Sequence, residues 1–266
     1  MLMLTHTYLL QKVLGSADIK NKDLDVYVYN IVPDLLTIHS QISSSKTHSI
    51  KRTLQIPADY PRSAYVMFHL LVDDLAHYGY ICQEGKEKFD PDSQGYSYIK
   101  GKPLINSILE LYNTIQKDIS YNEAVYRSHL IIEMIYDLVI LNQINSLKTV
   151  DLLAEAIDFT AKNKIDEFTA TVNQLYDVGE SKIKEVMKEA SFYITKERMV
   201  SIMNIEGRIR LYTDKFGLKS NNQLFFDGVK NLFLRAKDSL ELDDDELFLR
   251  ETTQTIKNYG WLPPLT

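Results

Sequence analysis

The sequence predicts an all-α protein, organised as a single multi-helix domain. Three observations lead there. Apolar residues recur at helical spacing through most of the 266 residues. The periodic runs stop at residues that end helices, such as Gly15, Gly217 and Gly260. Only Val26-Tyr27-Val28-Tyr29 reads as β-like, and it is short.

The elements follow in order. Leu4 to Leu14 is helical and stops at Gly15-Ser16. Leu24 to Leu36 is apolar with tyrosines, and Pro33 is expected to kink or end a helix there. Residues 40–60 are polar without a clear period and read as loop. Pro61 suits a first helical position, and the helix it opens runs to about Tyr80. Residues 83–98 hold Gly85, Pro91 and Gly95 and read as a surface loop. Leu104 to Lys117 is amphipathic. Ser120 and Glu123 form a capping-box pattern ahead of the long run Tyr121 to Gln143. Further helices are expected over about 148–162, 165–176, 179–192, 196–216, 220–238 and 243–259. The acidic run Asp243-Asp244-Asp245-Glu246 complements the dipole of the last one. With no repeat and no convincing linker, residues 1–266 read as one domain, the first part (1–145) carrying chemistry and the second (146–266) purely helical.

Composition narrows the function. Hydrophobic content of 45% and charged content of 25% are those of an ordinary globular protein. A net charge of −6 argues against a broad electrostatic footprint for nucleic acid or anionic membrane. Cys82 is the only cysteine, which excludes an internal disulfide and a thiolate zinc site. No apolar stretch reaches the ~20 residues that span a bilayer. The start of the chain has no basic region followed by an apolar run and a small-residue cleavage site. A cytoplasmic protein is the expectation.

Two segments concentrate the chemistry. His69, Asp73 and His77 stand at i, i+4 and i+8, as do His129, Glu133 and Asp137. On a helix that spacing stacks side chains along one stripe. The intervening residues are mostly apolar, so each stripe needs a partner to offset its burial. A lone histidine on an apolar face is usually a hydrogen-bonded core residue. Two such triplets, with no Lys or Arg between His69 and His77 or between His129 and Asp137, favour bound cations. Imidazole and carboxylate donors suit zinc, iron, manganese or nickel. His6 lies at the start of the first helix, and His48 follows Asp34 by fourteen residues.

The order His6, Asp34, His48, His69-x3-Asp73, His77, His129-x3-Glu133 resembles the zinc-dependent phospholipase C family, which shares its helical fold and trinuclear metal cluster with the S1/P1 nucleases. The resemblance covers roughly residues 1–140. It implies a first metal on Asp34, His48, His69 and Asp73, a second on His77, His129 and Glu133, and a third that shares Asp73 and uses His6. It implies a metal-dependent phosphodiester hydrolase with two or three zinc ions, Asp34 orienting or deprotonating the attacking water, and a small phosphoester or lipid head group as substrate. Asp74 lies about 100° round the helix from Asp73, so it is expected to be exposed or to support a ligand from behind. Asp137 is expected to orient a ligand histidine. Lys46, Lys51 and Arg52 lie near His48, where a phosphate or, more simply, solvent would meet them. His39 reads equally as a surface residue.

Two other readings stand beside this one. Helical iron or manganese oxidases and oxygenases use carboxylate-rich sites with Glu-x-x-His spacing, whereas this set is His-rich with His-x3-Glu. A non-catalytic protein would keep zinc as a structural tie and use its second half for a protein partner.

Overall fold

A computed structural model describes residues 2–15, 23–85, 92–144, 147–218, 223–241 and 245–264. Among them there are helices and no strands. Two helices owe their place to being apolar on nearly every side. α5 (Ser63–His77) is buried from Ser63 through Ala76. α8 (Tyr121–Ile144) is buried almost continuously from Ala124 to Leu141. A helix without a polar face must be wrapped by others. α6 (Tyr96–Gly101), α7 (Ile105–Thr114) and α14 (Gln223–Glu241) pack on α8, and α15 (Asp245–Asn258) packs on α5. α1 (Met3–Leu14) touches both α5 and α8.

The β-like run Val26–Tyr29 is helical. It lies in α2 (Asp25–Asn30), every residue of which is buried. β-branched and aromatic residues report burial here rather than a pleated surface. Pro33 acts as expected: α2 ends, Ile31 breaks the chain direction, and α3 (Val32–Leu35) takes the proline into its first turn.

Residues 40–60 are not all loop. α4 (Ser44–His48) forms there, with the Ser43 hydroxyl accepting from the Lys46 amide at its N-terminus. α5 starts at Ser63, two residues after Pro61, and ends at His77, where Gly79 turns the chain with φ +76°. Ser120 caps α8 by accepting from the Glu123 amide at 3.1 Å, but the Glu123 carboxylate pairs with Arg127 instead of reaching back.

Past α8 run α9 (Lys148–Asn163), α10 (Ile165–Tyr176) and α11 (Glu180–Tyr193). The expected helix 196–216 is two: α12 (Lys196–Ile202) and α13 (Ile205–Lys215), because Asn204 leaves the helix to cap α13 through the Gly207 amide at 2.8 Å. Gly217 and Gly260 end helices in the left-handed region, at φ +59° and +96°. The first part of the acidic run, Asp243-Asp244, lies outside the described residues, as do residues 220–222 and 86–91. One continuous core draws on both halves of the chain. No single described helix is long and apolar enough to cross a membrane.

Candidate metal centre

Five helices deliver the eight expected residues to one region. α1 brings His6, α3 brings Asp34, and α4 brings His48. α5 contributes His69, Asp73 and His77, and α8 contributes His129 and Glu133. Three groups have donor atoms close enough to share an ion: His6, His69 and Asp73; Asp34, His48 and His69; and His77, His129 and Glu133. The structure thus gathers every residue that the sequence nominates. One detail differs from the expected sets. His69 stands close to His6 as well as to Asp34 and His48.

The separations inside these groups have a pattern. Asp73 Oδ1 is 3.1 Å from His6 Nε2. Asp73 Oδ2 is 3.2 Å from His48 Nε2 and 3.3 Å from His69 Nε2. Asp34 Oδ1 is 3.6 Å from His48 Nε2. Ligands about 2.0–2.1 Å from a four-coordinate zinc stand about 3.3 Å apart. Charge-assisted hydrogen bonds would be shorter, about 2.7–2.9 Å. His77 Nε2 and Glu133 Oε1 stand at such a distance, 2.9 Å.

Burial makes the arrangement costly without a further partner. His6 and His69 are fully buried, their rings stacked with centroids 3.6 Å apart. His6 Nδ1, both ring nitrogens of His69 and Asp34 Oδ2 are buried and make no hydrogen bond. An unsatisfied buried polar atom costs about 1–3 kcal/mol, and four within one cluster point to a ligand that satisfies them together.

The protonation states of His69, Asp34 and Asp73 favour metal binding. Burial, with the His6 ring beside it, pushes His69 down to about 4, so its imidazole is neutral at physiological pH. Neutral imidazole and ionised carboxylate are the forms that ligate. Burial alone would raise Asp34 and Asp73. His48 and His69 outweigh it at Asp34 and hold that carboxyl below its ordinary value; Asp73 is held well below its ordinary value by the positive charges around it, His69 and His6 among them. His48 is held above its ordinary value despite burial because Asp34 and Asp73 both face it. Its Nδ1 lies 3.0 Å from the Ser44 carbonyl, which can only accept, so Nδ1 carries a proton and Nε2 turns to the carboxylates.

Other residues support the cluster from behind. Ser97 donates to Glu133 Oε1 at 3.2 Å, and the Tyr98 ring lies flat on His129 at 4.5 Å. Asp74 is buried, not exposed. It takes Arg52 in a two-pronged pair, Nη2 to Oδ1 at 2.7 Å and Nε to Oδ2 at 3.0 Å. Arg52 Nη1 donates to the backbone carbonyls of His48 and Ile50. The pair therefore fixes the segment that carries His48, and Arg52 is neither a phosphate contact nor a solvated charge. Lys51 faces Glu84 at the surface, and Lys46 reaches the Asp177 carbonyl. Asp137 orients no ligand histidine. It accepts from the Thr5 amide and hydroxyl and pairs with Arg208. His39 lies outside the groups, 3.5 Å from Glu185.

Several His and carboxylate clusters in this chain could therefore hold a metal ion. The chain matches no family model, no curated protein and no solved structure.

Proposed function

We propose that this chain is a metal-dependent phosphoester hydrolase similar to the zinc-dependent phospholipases C, with two or three zinc ions. The observation that carries the reading is Asp73. One of its oxygens faces His6, and the other faces His48 and His69. A carboxylate flanked on both oxygens can bridge two cations, and paired cations suit phosphoester displacement. Asp34, His48, His69 and Asp73 would hold one ion, His77, His129 and Glu133 another, and His6 with Asp73 a third. When bound, the ions would polarise the phosphodiester and acidify a water.

The chain's own residues supply the rest. Asp34 stays ionised, and its Oδ2 makes no hydrogen bond to protein, so it can take the proton of an attacking water. Its side chain is 23% exposed, which leaves it the most accessible member of its group. A net charge of −6 fits a small phosphoester or lipid head group better than a polyanionic strand.

Elemental analysis of protein purified without chelator, followed by a phosphodiester panel with and without chelator, tests the reading. Two or three equivalents of zinc and chelator-sensitive hydrolysis are expected. Iron or manganese in place of zinc, with oxygen uptake, would move the chain to the oxidase class. Metal without hydrolysis of any phosphoester would leave a structural site.

A further inference from the structure

Tyr176 is the last residue of α10, in the half of the chain that the metal ligands do not use. The residue is 4% exposed, and its hydroxyl has no hydrogen-bond partner. Buried phenols ordinarily find one, because leaving the hydroxyl unpaired forfeits its hydration. The charged groups within electrostatic reach of this hydroxyl are Arg52 and Asp34. The chain holds it there. Asp177 closes α10 in the left-handed conformation at φ +46°, and the Asp177 carbonyl accepts from Lys46 on α4, two residues before His48. Asp34 Oδ2 is equally buried and without a partner. Burial pushes the phenol far up, so it keeps its proton and can donate.

We infer that Tyr176 is a substrate-binding residue, its buried hydroxyl donating a hydrogen bond to a phosphate oxygen held beside Asp34, His48 and His69. This rests on the metal-dependent reading above and gives residues 146–266 a part in the site. A phosphate oxygen satisfies a donor that no protein atom satisfies. It also explains why a tyrosine stands where a phenylalanine would pack as well.

Tyr176→Phe keeps the ring and removes only the hydroxyl. The zinc-loaded parent and variant are compared by zinc content, by melting temperature and by calorimetric titration with inorganic phosphate. Expected are equal zinc, a melting temperature equal to or above the parent's, and about tenfold weaker phosphate binding. Tyr29→Phe is the control. It removes another buried hydroxyl, 3.5 Å from Thr171 on the same α10, and should leave phosphate affinity unchanged. Equal phosphate affinity in parent and Tyr176→Phe overturns this inference alone, as does an equal loss in Tyr29→Phe. Loss of zinc in Tyr176→Phe also overturns it, by giving the hydroxyl to the metal ligands instead. A parent that holds no zinc overturns the underlying reading, and the inference with it.

Discussion

Thr5 gives both its backbone amide and its hydroxyl to one oxygen of Asp137, at 3.0 and 2.6 Å. Those two bonds pin α1 to α8 beside His6, the next residue along. The other Asp137 oxygen takes Arg208 of α13 at 3.1 Å. Burial raises Asp137 and lowers Arg208 by more than their attraction opposes it. The pair itself therefore adds little net stability, while breaking it from one side is costly.

The two sides should not be equivalent. Asp137→Ala strands a guanidinium that cannot shed its proton and orphans the Thr5 hydroxyl, at a cost of about 3–5 kcal/mol. Arg208→Met leaves a carboxyl that can take up a proton and keep Thr5, so about 1–3 kcal/mol is expected. Urea denaturation of both variants measures the difference. An Arg208→Met cost equal to or above that of Asp137→Ala would show that the guanidinium matters more than the Thr5 anchor.

Asp73→Asn and Asp74→Asn separate ligation from support. Asp73 faces three imidazoles, whereas Asp74 faces Arg52 and the Cys82 amide. Removing charge from Asp73 should release more than one ion together. Asp74→Asn weakens a buried ion pair, so it should cost about 2–4 kcal/mol of stability yet keep its metal at saturating zinc. Metal content and chemical denaturation, run on both proteins, give a crossed pattern if this is right. Equal metal loss in the two would mean that Arg52 and Asp74 are indispensable to His48.

Chelation should lower the melting temperature. Each ion held at a thousand times its Kd adds about 4 kcal/mol, and a chain of this size loses about 2–4 °C per kcal/mol. Two ions together predict a fall of at least about 15 °C in a scan with and without chelator. The Asp73→Asn variant should respond much less. A parent melt that stays put after verified metal removal would refute the dependence.

The ligand residues were legible because their periodicity is local. His69, Asp73 and His77 sit on successive turns of one helix, and His129 and Glu133 on another. Their supports were not legible, because each partner comes from elsewhere. Arg52 lies 22 residues from Asp74, and Arg208 lies 71 from Asp137. The absence of basic residues on the stripes therefore excluded only local salt bridges. The same limit applies to Val26–Tyr29: in a segment buried on all sides, alternation carries no information about strand or helix. Tyr176 had no sequence signal either, since the end of α10 meets the segment that carries His48 only through tertiary packing.

At Gly101, α6 packs tightly on the helix that bears His129. A methyl group there would lie 2.7 Å from the Ser128 hydroxyl oxygen and 3.1 Å from the His129 amide nitrogen. The Ser128 hydroxyl is held by the Val125 carbonyl at 2.8 Å, and the amide is backbone, so neither yields freely. Against this, Gly101 is the last residue of α6, so the helix-propensity gain of Gly→Ala is at most about 1 kcal/mol. Overpacking costs about 1–3 kcal/mol, so Gly101→Ala should be neutral to modestly destabilising rather than stabilising. The displacement would fall on the His77, His129 and Glu133 group and spare the one around Asp73. Zinc titration of Gly101→Ala should therefore show one weakened site beside others of parental affinity. A uniform weakening, or a gain in stability with every site intact, would mean that α6 moves away without disturbing His129.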